Sequence, residues 1–317
     1  MEITILGAGA MGCRFGAALH DAGHNVQLVD PWAEHVAAIE SQGGLRVDFD
    51  DGPRLVDLRA SLPASSSGSP DLIVVFGKAM QTADLIASAQ HLISESTVIL
   101  TLQNGLGNIE AIAAFVENSD NVVAGVTTLA SELLGPGRIQ ALGNGVTHVM
   151  QSSGGRDIAT RIVQEAFAGS PISVGVSPDV HSMIWRKVAF NAVLNTLCTL
   201  MSCPVSALRA YPEFWTVADA VIDEIAAVGA AEGVEIDGDD VRKTILEATD
   251  PEMSGHHLPS MLQDFLNNRT TEIEHLNGEI VRRGDSHRVP TPTNALIRHL
   301  IRMAEATRSQ RIDALPQ

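Results

Sequence analysis

The first residues of the chain form the pattern that most restricts how it can fold. A short apolar segment, Ile3–Leu6, is followed at once by Gly7-Ala8-Gly9-Ala10-Met11-Gly12, then by a helical pattern over Cys13–Ala22. In this order the glycines allow a tight turn, close approach of a pyrophosphate, and close packing of helix on strand. The start of such a helix presents N–H groups and a positive dipole end to phosphates. We therefore predict that residues 7–12 bind a dinucleotide; a glycine-rich turn that binds nothing is the alternative.

Asp30 follows the second predicted strand, Val26–Val29. An acidic residue about 20 positions past the glycine pattern hydrogen-bonds the hydroxyls of the adenosine ribose. The same carboxylate would repel a 2′-phosphate, and the next residues, 31–35, contain no arginine to neutralise one. Asp30 therefore favours NADH over NADPH. The alternative is that Asp30 only ends the strand and caps the next helix.

The rest of the chain changes character near residue 179. Up to residue 178, apolar strands alternate with helices, which predicts an α/β fold with a Rossmann-type doubly wound sheet and antiparallel additions late in the domain. Residues 179–317 predict an all-helical domain, and a cleft between two such domains is a usual place for a small substrate. The helices predicted there are His181–Met201, Pro212–Glu232, Gly238–Thr249, Ser260–Arg283 and Thr291–Thr307.

Composition excludes several classes of function. The net charge of −17 comes from 21 Lys and Arg against 38 Asp and Glu, which argues against partners such as nucleic acid or an anionic membrane. The three cysteines are too few for a disulfide framework and wrongly spaced for zinc, so we predict no metal. The sequence shows no charged leader and no apolar run long enough to span a bilayer, which predicts a cytoplasmic protein.

Polar residues recur at helical spacing in the first helix of the second half. Lys187, Asn191 and Asn195 fall within an arc of about 80° on one face, and their neighbours are mostly apolar. An amine and two amides on a buried helix need partners, and a charged, hydroxylated substrate is one such partner. A solvent-exposed stripe is the alternative. Farther along, Glu272 has a spacing that does not decide between a cleft and solvent.

Several motifs together resemble those of the ketopantoate reductase (2-dehydropantoate 2-reductase) family over nearly the whole chain. The matching segments are Gly7–Gly12, Gly77–Ala79, Gln103–Gly105, Gly135–Gly137, Trp185–Asn195, Ser260–Asp264 and Thr271–Gly278. The resemblance implies a reductase that transfers a hydride from NAD(P)H, by family default NADPH, to the ketone of a 2-oxo acid. The expected substrate is 2-dehydropantoate, on the route to pantothenate and coenzyme A.

The resemblance also implies a role for individual residues. The catalytic lysine falls on Lys187, a general acid oriented by the carboxylate of Glu272. Substrate contacts fall on Asn104, Asn191, Asn195, Ser260 and, near a frequent asparagine position, His257. Cofactor contacts fall on residues 7–12, on Asp30, on Lys78 at the adenosine ribose or its phosphate, and on Asn104 and Glu272. The sequence does not determine the oligomeric state; a homodimer is one assembly that we consider.

The chain departs from the family pattern at three positions. Asp30 stands where many relatives have a basic residue, and Val205 and His257 stand where asparagine is frequent. Two other classes of protein therefore stay open. One is a β-hydroxyacid dehydrogenase-like enzyme for another small 2-oxo or 3-hydroxy acid, and the other is a non-catalytic dinucleotide-binding sensor.

Overall fold

The computed structural model describes residues 1–151, 158–252 and 257–310. It divides into two compact units, Met1–Val180 and His181–Gln317. Within the described ranges, no helix combines the length and the apolar character needed to cross a membrane.

The N-terminal unit alternates strands and helices, as predicted. Its strands are β1 Glu2–Leu6, β2 Asn25–Val29, β3 Leu45–Phe49, β4 Gly52–Val56, β5 Arg59–Ser61, β6 Leu72–Val75, β7 Val98–Thr101, β8 Val122–Thr127, β9 Glu132–Gly135, β10 Arg138–Gln140, β11 Thr147–Gln151 and β12 Val174–Val176. Its helices are α1 Ala10–Asp21, α2 Ala33–Gln42, α3 Thr82–Ser88, α4 Asn108–Ala113 and α5 Ile158–Phe167. The described strands form an eight-stranded sheet, ordered β12-β11-β8-β7-β6-β1-β2-β5, and a four-stranded sheet, ordered β4-β3-β10-β9.

The central strands of the large sheet are buried on both faces. Alternate residues of β6 enter different clusters: Leu72 and Val74 pack with residues of α1 and α5, whereas Ile73 and Val75 pack with residues of α3 and α4. Because side chains of a strand alternate between faces, an uninterrupted apolar run fits only a sheet covered on both sides. The predicted doubly wound sheet is confirmed, and β11 pairs antiparallel to β8, as the late antiparallel addition requires.

The strand order creates a crevice at one edge of the sheet. From β5 to β8 the order β5-β2-β1-β6-β7-β8 corresponds to the order 3-2-1-4-5-6 of dinucleotide-binding sheets. The chain runs outward in opposite directions from β1 and β6, and ligands bind beyond the carboxyl ends of strands at such a switch point. Gly7 follows β1 and Gly77 closely follows β6, so both lie at this crevice.

Three strands and one helix of the N-terminal unit were not predicted from the sequence pattern. The strands β5, β9 and β12 are short, at three or four residues, so an alternating pattern is hard to recognise in them. The helix α5 covers Ile158–Phe167 in a region for which we predicted no element.

All regular secondary structure among the described residues of the C-terminal unit is helical. Its helices are α6 Val180–Met201 (which begins at the last residue of the first unit), α7 Phe214–Ala231, α8 Gly238–Ala248, α9 Ser260–Leu266, α10 Asn277–His287 and α11 Pro292–Ala306. A carboxylate on α7 joins three of them: Glu224 accepts hydrogen bonds from the N–H groups of Thr293 (2.7 Å) and Asn294 (2.9 Å), and the Asn294 side chain accepts one from Asn277 (2.9 Å). The first turns of α10 and α11 are therefore held against α7.

The single helix predicted over Ser260–Arg283 is wrong. The helix α9 ends at Leu266 because Asn268 adopts a left-handed conformation, with φ 57°. The N–H of Arg269 then donates a hydrogen bond to the carbonyl of Asp264 (2.8 Å), and the N–H of Asn268 donates one to the carbonyl of Phe265 (3.2 Å). This is a Schellman motif with asparagine at the position usually taken by glycine. The chain resumes a helix only at Asn277, and Glu272 lies in the connection.

Candidate functional site

The glycine pattern forms a tight loop between β1 and α1. Gly7 has φ 95°, and a Cβ there would collide with the backbone of Gly77. A Cβ on Gly12 would collide with the carbonyl oxygen of Gly7. A Cβ on Gly9, by contrast, would meet no atom within 4 Å. The first and third glycines are thus needed for packing, and the second leaves open space at the start of α1, where a pyrophosphate would fit.

Asp30 holds this loop from the end of β2. Its carboxylate accepts the N–H of Ala8 at 2.7 Å and the N–H of Trp32 at 2.8 Å. The hydrogen bond from Trp32 is the one expected if Asp30 only ends the strand and caps the next helix. The hydrogen bond from Ala8 shows that Asp30 also holds the glycine loop. A carboxylate has about four acceptor positions, so both oxygens keep a lone pair for the hydroxyls of a ribose.

The carbonyl of Ala8 is held by residues that were not identified from the sequence. The thiol of Cys13 donates to the carbonyl of Ala8 at 3.1 Å, and its sulfur lies 3.5 Å from Nε2 of His35. Nδ1 of the same histidine accepts the N–H of Gly137 at 3.1 Å. Burial raises the pKa of the Cys13 thiol and lowers the pKa of His35, so both groups are neutral near pH 7. Side chains therefore fix both peptide units that flank the Cα atom of Ala8: Asp30 binds the N–H of Ala8, and Cys13 binds its carbonyl.

A second polar network lies beyond the ends of β6 and β7. Gln103 donates through Nε2 to the carbonyl of Gly77 and to the hydroxyl of Thr82 (2.8 Å). Thr82 donates to Asn108 (3.0 Å), whose amide donates to the carbonyl of Asn104 (3.0 Å). This network fixes the two loops that carry Lys78 and Asn104, and the half-buried Asn104 is in the same unit as the glycine loop. Gly77, Gln103 and Asn104 had a sequence signal as parts of family motifs, whereas Thr82 and Asn108 were not identified from the sequence.

The stripe Lys187, Asn191 and Asn195 lies on α6, on consecutive turns. Asn191 is 8% exposed and Asn195 is 7% exposed, which makes the alternative of a solvated face wrong for the two amides. Within the described part of the chain, neither side-chain amide has a hydrogen-bond partner in the protein. Both side chains are largely enclosed yet keep their amide groups available, so these two are suited to bind a polar ligand.

Lys187 has an unusual protonation equilibrium. Burial lowers the pKa of its ammonium group from 10.5 to about 8, and the charge of Glu272 acts in the opposite direction. The structure therefore brings together these two residues, although 84 positions of sequence separate them. Desolvation is the larger effect, which leaves an amine that can give up its proton near neutral pH.

Glu272 is half buried and immediately precedes a short 3-10 helix, Ile273–His275. Two residues on, Glu274 is exposed and paired with Arg298 at 2.8 Å and Arg302 at 3.5 Å. The two neighbouring glutamates thus differ in surroundings. Of the two, it is Glu272 that contributes to the pKa of Lys187.

Ser260 and His257 are less enclosed. Ser260 is the first residue of α9 and is exposed, as is His257. The carbonyl of His257 accepts the N–H of Val205 at 3.3 Å. Two of the three positions that depart from the family pattern are therefore neighbours. Among the described residues, no cluster of three or more His, Cys, Asp or Glu side chains is suited to a metal ion.

A glycine loop of the pattern typical of dinucleotide binding on a doubly wound sheet, with a lysine–glutamate pair in a helical unit, is the combination expected of a dinucleotide-dependent oxidoreductase. Comparison with known proteins agrees. The family described as "Ketopantoate reductase PanE/ApbA" matches residues 3–154, and "Ketopantoate reductase PanE/ApbA C terminal" matches residues 179–305. The chain belongs to the ketopantoate reductase family.

Individual relatives extend over almost the full chain. The 2-dehydropantoate 2-reductase of Lactococcus lactis is 34% identical over 96% of this chain and 98% of its own length, and that of Pyrococcus abyssi is 32% identical over the same shares. A ternary structure of D-mandelate dehydrogenase with NADH and anilino(oxo)acetate is 34% identical, with a TM-score of 0.92 over 97% of this chain and 99% of that one. A PanE/ApbA family ketopantoate reductase from Ralstonia eutropha is 32% identical, with a TM-score of 0.87 over 98% and 100%.

Proposed function

We propose that this chain reduces the ketone of a 2-oxo acid to a 2-hydroxy acid, with NADH as the preferred reductant and 2-dehydropantoate as the substrate. The family and the named relatives support the reaction class. The mechanism rests on the pairing of Lys187, on α6, with the carboxylate of Glu272, in a setting where burial lowers the pKa of the lysine to about 8.

The cofactor site is formed by the N-terminal unit. The open space at Gly9 and the start of α1 fit a pyrophosphate, and the lone pairs left on Asp30 fit a ribose diol. Lys78 and Asn104, in the loops fixed by Gln103, are the further contacts that we assign to the cofactor. When bound, the nicotinamide supplies the hydride that the ketone carbon accepts.

Lys187 supplies the proton. As the ketone carbon is reduced, negative charge develops on the carbonyl oxygen, and an ammonium group near it stabilises that charge and donates a proton. A general acid works best with a pKa near the operating pH, which desolvation of Lys187 provides. The lysine is left neutral and is reprotonated from solvent.

Glu272 keeps the amine charged. A carboxylate near a buried amine favours the protonated form, and without it the effect of burial would be unopposed. Glu272 is thus a positioning residue for Lys187 and is also assigned to the cofactor. Asn191 and Asn195 bind the carboxylate and hydroxyl of the substrate without adding charge, and Ser260 and His257 are assigned to its distal end.

A second substrate class is favoured by one comparison. D-mandelate dehydrogenase is among the similar solved structures, in a ternary structure with NADH and anilino(oxo)acetate. An aryl 2-oxo acid is therefore the second candidate for this chain. The cytoplasmic location, the homodimer and the role in pantothenate synthesis stay predictions.

The experiment is a substrate panel. NADH and NADPH oxidation is followed with 2-dehydropantoate, phenylglyoxylate and small straight-chain 2-oxo acids. The proposal predicts the highest kcat/KM with 2-dehydropantoate and NADH. A preference for phenylglyoxylate would favour the second candidate, and no turnover of any ketone despite dinucleotide binding would favour a sensor.

A further inference from the structure

Trp32 is an exposed tryptophan at the edge of the predicted cofactor site. It is 38% exposed and directly precedes α2. Aromatic residues make up only 4% of this chain, with three tryptophans. A large aromatic side chain left in contact with water next to a nucleotide-binding loop requires an explanation.

The indole ring of Trp32 is held flat against a buried histidine. The ring centroids of Trp32 and His35 are 5.0 Å apart, with an angle of 16° between the planes. His35 is fully buried, and both of its ring nitrogens have polar neighbours, Cys13 and Gly137. The histidine is therefore a fixed support for one face of the indole, and the exposed part of the Trp32 side chain is available to a second flat ring.

Trp32 is also fixed relative to the residue assigned to the ribose. Its backbone N–H donates to Asp30, whose other oxygen accepts from the glycine loop. Two residues of chain span at most about 7 Å. A ribose carries its base on the carbon next to the 2′-hydroxyl, so a ribose held by Asp30 places its base within reach of Trp32.

A second exposed apolar side chain lies on the other flank. Met80, 36% exposed, is in the loop after β6, and both β2 and β6 pair with β1. Strands two positions apart in a sheet are separated by about 10 Å, which leaves room for one flat ring between loops at their carboxyl ends. Apolar surfaces on both flanks favour an uncharged, planar group over a phosphate.

We propose that the outer face of Trp32 stacks on the adenine ring of the dinucleotide, with His35 supporting the indole from behind. This inference rests on the proposed function, because it presupposes a dinucleotide at the glycine loop. It adds a binding residue for the adenine base, and it predicts that much of the affinity for the cofactor resides in its adenosine half.

The test uses ADP-ribose, which has the adenosine half and lacks the nicotinamide. Tryptophan fluorescence of the full-length protein, excited at 295 nm, is followed during titration, and affinity is measured in parallel by calorimetry. The proposal predicts quenching in the wild type, loss of that quenching in Trp32→Phe, and its persistence in Trp215→Phe, a control on α7. Stacking of a base on an aromatic side chain predicts that Trp32→Ala weakens binding roughly 5- to 150-fold, whereas Trp32→Phe retains most of the affinity.

The outcomes separate the two proposals. If the wild type binds neither NADH nor ADP-ribose, the proposed function is wrong and this inference is wrong with it. If the wild type binds ADP-ribose, but quenching persists in Trp32→Phe and Trp32→Ala binds as tightly as the wild type, the stacking assignment alone is wrong. Should Trp32→Ala fail to fold, the comparison of wild type with Trp32→Phe still decides the question. Reduced nicotinamide mononucleotide serves as the control ligand, because it has the nicotinamide half of the cofactor and lacks the adenine. Its affinity should be the same in wild type and Trp32→Ala.

Discussion

The carboxylate of Glu272 counteracts the effect of burial on the ammonium group of Lys187. Burial lowers the pKa of this lysine from 10.5 to about 8, and Glu272 raises it. The two side chains come from different segments, α6 and the connection before α10, so the tertiary fold of the C-terminal unit creates the pair. If the pair is the catalytic acid, its protonation controls the rate of ketone reduction.

The pH dependence of reduction should follow Lys187. The protonated amine is the acid, so kcat/KM for ketone reduction should fall as the pH rises through about 8. In Glu272→Gln the attraction is lost and burial is unopposed, so the fall should begin at a lower pH. Glu274→Gln is the control, because Glu274 is exposed and paired with Arg298, and it should leave the midpoint unchanged. An unchanged or higher midpoint in Glu272→Gln would contradict the assignment.

The same lysine should make stability depend on pH. In the unfolded chain the amine binds its proton with a pKa near 10.5, and in the folded protein with one of about 8. Between these values the unfolded state holds more protons, so the free energy of unfolding of the wild type should rise with pH relative to Lys187→Met. The full change should be about 3 kcal/mol, at about 1.4 kcal/mol per pKa unit. Denaturant titrations of both proteins at pH 7.5 and pH 10.5 measure this change. If the difference in free energy of unfolding between wild type and Lys187→Met is the same at both pH values, the amine is not desolvated.

Cofactor preference should depend on the charge of Asp30. The wild type should show a higher kcat/KM with NADH than with NADPH, since the carboxylate repels a 2′-phosphate. Asp30→Asn removes the charge but keeps a side-chain acceptor for the backbone N–H of Ala8 or Trp32, so it should narrow the gap without unfolding the glycine loop. A wild-type enzyme that prefers NADPH tenfold or more, about 1.4 kcal/mol, would show that Lys78 or another group outweighs Asp30.

The N-terminal half of the fold was predictable because its signals are local. The segment from β1 to Asp30 needs only apolar strands, glycines at fixed spacing and a helical pattern, and the structure differs mainly in that α1 begins at Ala10 rather than at Cys13. Helix starts are harder to place, because Gly9 lacks a side chain that would mark it as a cap. The break after Leu266 had a signal in Asn267-Asn268, since asparagine tolerates a left-handed conformation, but helical periodicity on both sides concealed it.

The candidate site was less accessible to sequence reasoning. Spacing placed Lys187, Asn191 and Asn195 on one face of α6, which requires only a helix. It could not place Glu272, because that residue lies outside any regular helix and meets Lys187 through tertiary packing. The support of the glycine loop by Cys13 and His35 was missed for the same reason: their contacts join α1, α2 and the turn at Gly137, and no local pattern encodes them.

The most direct test of the Lys187–Glu272 pair is a double-mutant cycle on kcat for ketone reduction. Loss of a general acid costs about 10²- to 10⁴-fold in rate, so Lys187→Ala should fall in that range, with dinucleotide affinity nearly unchanged. Glu272→Ala should lower kcat, and residues that act as a unit give non-additive losses. We therefore expect Lys187→Ala/Glu272→Ala to be scarcely slower than Lys187→Ala, whereas Glu274→Ala has little effect in either background. The pair assignment is contradicted if the loss of kcat in the double variant equals the product of the two single-variant losses. It is also contradicted if Lys187→Ala keeps a kcat within a few fold of the wild type.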